Sequence, residues 1–196
     1  MAEPKEVKKA DTDATERPGT SRPVVSGTQG VISSGHYLTS MAGMRMMLSG
    51  GNAFDAVAAS VFAASVIEPI ASYSLGAESV FMLHDAQSGD LHSLSGQGVA
   101  PSRANTDFYK SKGLNSIPTG PGDQAPLAFT VPGVVHATIS LLDRYGTKSL
   151  GEVLGPSIQY ALQGIPHYQY MINSSRLKIA ADQFKLDRDI VMAAVS

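Results

Sequence analysis

Past residue 22 the hydrophobic positions fall into short blocks separated by glycine and proline. Residues 24–34 mix Val24, Val25, Thr28, Val31 and Ile32 with Ser and Gly, and residues 31–33, just after Gly30, predict a short buried strand. A helix is expected to begin after Ser34-Gly35-His36. Met41, Met44, Met47 and Leu48 share one helical stripe, which predicts its core face, and Gly50-Gly51 ends it. Asn52 is a capping residue for a second helix over 53–67, whose Ala, Val and Phe content predicts that it is largely buried, with Glu68-Pro69 as the stop. Residues 80–85 and 91–94 read as a hairpin joined through Gln87-Ser88-Gly89-Asp90. Beyond it the pattern predicts a short helix at 107–112, an exposed Gly/Pro loop at 114–124 and a strand at 129–131 ended by Pro132-Gly133. Helices follow over 134–145, closed by Gly146, over 150–162, closed by Gly164, and over 171–184. There is no repeat of solenoid length.

Composition narrows this to a mixed helix-and-strand unit of about one domain, in 196 residues that are 43% hydrophobic and 16% charged. Residues 1–22 are polar and read as a flexible tail; residues 23–196 are the folded part. With 15 Lys+Arg against 17 Asp+Glu there is no basic surplus for nucleic acid. The apolar run at 53–67 carries Asp55 and is too short to span a bilayer, so no membrane contact is expected. The absence of cysteine excludes disulfides, thiolate metal sites and a cysteine nucleophile. With the charged start at residues 1–9, which is no signal peptide, it leans toward the cytoplasm; a signal removed upstream of Met1 would mean periplasm or secretion.

Candidate chemistry is sparse. Ser33-Ser34-Gly35-His36 sets hydroxyls beside an imidazole, but adjacency in sequence does not make a catalytic pair, and helix entry explains it as well. Ser95-Gly96-Gln97-Gly98 fails the Gly-x-Ser-x-Gly elbow. The five histidines fit no zinc spacing, and neither Gly50-Gly51 nor Gly96-Gln97-Gly98 has a phosphate-loop context, so neither metal nor nucleotide cofactor is expected. Asp55, inside an apolar helix, must be hydrogen-bonded and reads as a structural anchor. Arg45 and Arg103 are candidates for an anionic substrate or for ordinary ion pairs. No self-contained catalytic set emerges. Either this is a binding or structural domain, or the nucleophile lies on another polypeptide.

Gly30-Val31-Ile32-Ser33-Ser34-Gly35-His36, Ala42-Gly43 and Gly50-Gly51-Asn52-Ala53-Phe54-Asp55-Ala56 resemble the start of the gamma-glutamyltransferase (gamma-glutamyltranspeptidase) family. The likeness continues through Val66-Ile67-Glu68-Pro69, Phe81-Met82-Leu83, Ala100-Pro101, Val131-Pro132-Gly133-Val134 and Tyr145-Gly146, and covers about residues 30–185. It implies an α+β fold, the αββα sandwich of the N-terminal-nucleophile hydrolases, of which this chain resembles the front part of the large subunit and is incomplete alone. It also implies a precursor that cuts itself in two. The catalytic threonine then lies on the small subunit, so no catalytic residue is expected here. The implied partners are that small subunit and a small amide substrate, with two large and two small subunits in the assembly. The apolar run from Ile190 reaches Ser196 without a stop signal, which suggests a shortened chain.

Two departures from the family pattern bear on substrate. In gamma-glutamyl-specific members an arginine shortly before Ala-Pro holds the substrate carboxylate. The matching residue here is Gln97, and the hydrolase-like arginine position is Val99, so a bidentate cationic clamp is missing. Gln97 is therefore the expected substrate contact, with Arg103 as a second candidate. The family's glycine cluster after Glu-Pro is reduced to Gly76, which joins Asn52, Asp55 and Glu68 as an expected structural residue. Glu78 in that turn either faces solvent or supplies a polar contact, solvent being the simpler reading. The expected activity is amide hydrolysis or acyl transfer from a small acyl or carboxylated amide. The alternatives are true gamma-glutamyl transfer with glutathione hydrolysis, and a noncatalytic homologue.

Overall fold

His36 starts the first helix with its own side chain: Nδ1 accepts the Leu38 N–H at 3.2 Å, satisfying a donor that has no partner within the helix. The structure, a computed structural model, describes residues 24–69, 74–118 and 123–166. The chain divides into two units, Met1–Val31 and Ile32–Ser196. Among the described residues of the first unit, 24–31, there is no helix or strand.

The second unit contains α1 (Tyr37–Leu48), α2 (Ala53–Ile67), β1 (Ser79–His84), β2 (Leu91–Gly96), α3 (Thr106–Ser111), α4 (Val134–Tyr145) and α5 (Leu150–Gln163), with one 3₁₀ turn at Ala125–Ala128. Its centre is α2, which packs against α1, α4 and α5. Ala56, Ala58, Ala59 and Phe62 of α2 join Met46, Leu142 and Val153 in one apolar cluster, and Ala63 and Ile67 join Ala42 in another.

The buried stripe of α1 is Thr39, Ala42, Gly43 and Met46, not the predicted one. Met41 and Leu48 are exposed, and Met44 and Met47 are half-buried. The reason is how close α1 lies to α2. A Cβ at Gly43 would overlap Ser60 Oγ and lie 2.8 Å from the Ala56 carbonyl oxygen, so only the face carrying the smallest residues can reach the partner helix.

The hairpin forms as expected, antiparallel, with Phe81 opposite Leu94 and Leu83 opposite His92. Its inner face places Phe81 and Leu83 against Ala137 and Leu141 of α4. Its outer face leaves Val80 and Met82 61% and 75% exposed. Asp85 shapes the turn: its carboxylate accepts Gln87 N–H and the Ser88 hydroxyl, and the Gln87 bond holds the acid below its ordinary value.

Two predicted strands are absent. Residues 31–33 carry no ladder among the described residues, and 129–131 reduce to one bridge between Val131 and Val99. Both segments have β-type residues, but a strand needs a neighbour along its whole length, and neither has one among the described residues. The expected helix at 171–184 lies outside the described residues.

Candidate functional site

Asn52 and Asp55 form a reciprocal cap at the start of α2: Asn52 Oδ1 accepts Phe54 and Asp55 N–H, and Asp55 Oδ2 accepts Asn52 N–H at 2.8 Å. Both side chains also reach across the fold. Asn52 Nδ2 donates to the Tyr145 carbonyl at the end of α4. Asp55 Oδ1 accepts Thr147 N–H at 2.9 Å and Lys148 N–H at 3.0 Å, while the Thr147 hydroxyl donates to Oδ2 at 2.7 Å. Burial pushes the Asp55 carboxyl up, but the bonds from Lys148, Thr147 and Asn52 outweigh it and hold the group below its ordinary value. The pair thus fastens the α4–α5 connection to the start of the central helix.

The Gly96–Pro101 segment leaves the hairpin beside the start of α4, and backbone sets its course. The Gly133 and Val134 N–H groups both donate to the Ala77 carbonyl. A Cβ at Gly133 would overlap the Gly96 carbonyl oxygen, and one at Gly96 would overlap Ala137 Cβ. Val131 N–H donates to the Val99 carbonyl at 2.9 Å. Gln97 is exposed on this segment, and Val99 is 67% exposed. Glu78 is exposed as well, yet its carboxylate accepts Gly98 N–H at 3.4 Å, so it meets both readings offered for it. Arg103 is exposed too, in the turn leading to Asn105, whose side chain caps α3. A Cβ at Gly76 would meet only Ser74 Oγ at 3.7 Å, so the turn makes no steric demand for glycine there.

Glu68 caps the end of α2 and is buried. Its carboxyl oxygens would lie 3.0 and 3.1 Å from a Cβ at Gly35. It lines a cavity of about 430 Å³ between α2, the start of β1 and residues 32–39. Glu78, Thr39 and Ser79 line the same cavity, and Val57, Val61 and Phe81 supply apolar wall. Gln97 and Arg103 do not line it. Sequence reasoning had no signal for Thr147 and Lys148 as partners of Asp55, because the four-residue connection between α4 and α5 looks the same with or without a distant carboxylate. It equally had none for the Thr39 and Ser79 hydroxyls.

The Ser33–His36 segment is accounted for by helix entry. Ser34 Oγ donates to the His36 carbonyl at 2.8 Å and bonds Ser40 Oγ at 2.6 Å. Among the described residues no group of three His, Cys, Asp or Glu is placed to hold a metal, and no helix is long and apolar enough to cross a membrane.

This α+β arrangement is the fold of the N-terminal-nucleophile hydrolases. It matches the crystal structure of Helicobacter pylori gamma-glutamyltranspeptidase with a TM-score of 0.71 and 30% identity, covering 85% of this chain and 46% of that one. The gamma-glutamyltranspeptidase family model matches residues 39–193, and the chain belongs to that family. A glutathione hydrolase-like YwrD proenzyme of Bacillus subtilis is 36% identical over 142 residues, 72% of this chain and 26% of the relative. An acylase ACY 1 proenzyme of a Pseudomonas species (strain V22) is 32% identical over 195 residues, 95% of this chain and 32% of the relative. The chain therefore spans about a quarter to a third of the length of these curated relatives.

Proposed function

We propose that the protein is an amide hydrolase or acyltransferase whose donor is a small acyl or carboxylated amide other than glutathione. Its nucleophile is a threonine on a small subunit released from the same precursor, as the proenzyme names of both relatives suggest. The threonine hydroxyl adds to the amide carbonyl, its proton passing through the chain's new α-amine to the leaving nitrogen. The C–N bond breaks, and water or an amine then takes the acyl group from the resulting ester. The outer face of the hairpin, with Val80 and Met82 exposed, supports a second sheet packing there from the remainder of the protein. Two large and two small subunits make up the proposed assembly.

The observation that carries the substrate reading is the charge around the Gly96–Pro101 segment. Gln97 and Val99 are neutral, and among the described residues the ionisable side chain bonded to that segment is the acid Glu78. An uncompensated acid there disfavours the α-carboxylate of a gamma-glutamyl donor. Gln97 contacts the donor through its amide. Arg103 is the candidate partner for a carboxylate further along a longer acyl chain.

The test is to purify the full-length protein, read its intact mass and N-termini, and assay anilides of neutral, ω-carboxylated and gamma-glutamyl acyl groups. Two chains, one starting in Thr, and at least about tenfold higher kcat/KM on the simple acyl anilides are expected. A preference for the gamma-glutamyl anilide refutes the substrate reading. A single inert chain makes the protein a noncatalytic homologue.

A further inference from the structure

The cavity beside the end of α2 has an unusual balance of polar groups. Two acids line it, Glu68 and Glu78, and among the described residues no Lys, Arg or His does. Glu68 is 7% exposed and Thr39 3%. Thr39 Oγ1 and Ser79 Oγ are buried and have no hydrogen-bond partner among the described residues. The one ion pair among the described residues, Lys148 with Glu152, lies elsewhere, so neither cavity acid has a basic counterpart among those residues. Buried polar atoms are normally paired, and a buried acid is costly unless something cationic or donating meets it. Val57, Val61 and Phe81 add a surface suited to a hydrocarbon.

We propose that this cavity is a binding site for a small primary ammonium ion. An ammonium group carries three donors and no acceptor, which suits the Glu68 carboxyl and the Thr39 and Ser79 hydroxyls. A short alkyl stem then rests on the Val57, Val61 and Phe81 wall, as lysine stems rest on apolar surface. Among the described residues no third His, Cys, Asp or Glu joins the two acids to hold a metal ion. An anion would meet acids and no base. Glu78, nearer solvent, adds attraction at the entrance. Gln97 and Arg103 do not line the site, which meets the Gly96–Pro101 segment only through Glu78, and the proposal does not rest on the amidase reading.

The experiment is calorimetric titration of the purified full-length protein with n-butylammonium chloride, beside n-butanol and sodium butyrate as controls of similar size. Saturable binding of the ammonium ion, with neither control bound, is expected. Glu68→Gln, which keeps the shape of the side chain, is expected to weaken it about tenfold, and Glu78→Gln, on an exposed side chain, about threefold. Should Glu68→Gln fail to fold, Glu78→Gln and Thr39→Val carry the test, each expected to weaken binding. Absence of butylammonium binding overturns the proposal, whether the cavity is filled by another part of the protein or by water. So does butyrate binding as well as the ammonium ion, or unchanged affinity in the folded variants.

Discussion

Replacing Asp55 tests whether one carboxylate holds two parts of the chain together. It receives four hydrogen bonds, from Asn52 N, Thr147 N, Thr147 Oγ1 and Lys148 N, while fully buried. Hydrogen bonds to a charged group contribute about 1.5–3 kcal/mol each, but they are not additive, and donors near solvent regain water when released. Asp55→Ala is therefore expected to cost about 3–5 kcal/mol. Asp55→Asn retains one acceptor oxygen and turns its NH₂ toward a backbone donor, for about 2–3 kcal/mol. The assay is urea unfolding of the full-length protein, followed by far-UV circular dichroism across a pH series. The folded acid titrates below its ordinary 3.8, so the unfolded chain binds more protons in that window. Its contribution is complete above 3.8 and is lost as the pH falls through the folded value. Wild type and Asp55→Asn should accordingly converge in stability as the pH falls below 3.8 and the folded carboxylate takes up its proton. An Asp55→Ala loss under about 1 kcal/mol, or parallel pH curves for the two proteins, refutes the clamp.

Gly43→Ala should cost about 1–3 kcal/mol, since its methyl overlaps Ser60 Oγ and α1 must move off α2; an unchanged melting temperature contradicts that packing. Gln97→Arg supplies a cation on the Gly96–Pro101 segment. It should raise kcat/KM on a gamma-glutamyl anilide by about tenfold, chiefly through KM, without gain on neutral acyl anilides. Equal gains on both would separate Gln97 from carboxylate recognition.

Local signals in the sequence carried much of the fold. Asn52 before an alanine-rich run, Gly146 and Gly164 after helical ones, and the Gly89 turn each act within a few residues, and each sits where expected. What failed depended on distant partners. The predicted methionine stripe of α1 lost to Thr39, Ala42, Gly43 and Met46, because the close approach of the two helices is set by the small side chains at their contact. Residues 31–33 and 129–131 have the right composition for strands, and composition does not supply a neighbour. At the site, Asp55 was legible as an anchor because an acid in an apolar helix demands partners, whereas its partners at Thr147 and Lys148 carried no mark. The burial of Glu68 was hidden because a Glu-Pro helix end usually faces solvent.

The hairpin exit and the start of α4 are joined through main-chain atoms and glycines: Ala77 O with Gly133 and Val134 N–H, and Gly96 against Gly133. Such a joint is indifferent to the side chains threaded between its ends. Positions 78, 97 and 99 can then exchange charge for neutrality, or bulk for space, without disturbing the scaffold that presents them. A single frame of this kind leaves those three positions free to vary while the segment that carries them keeps its course.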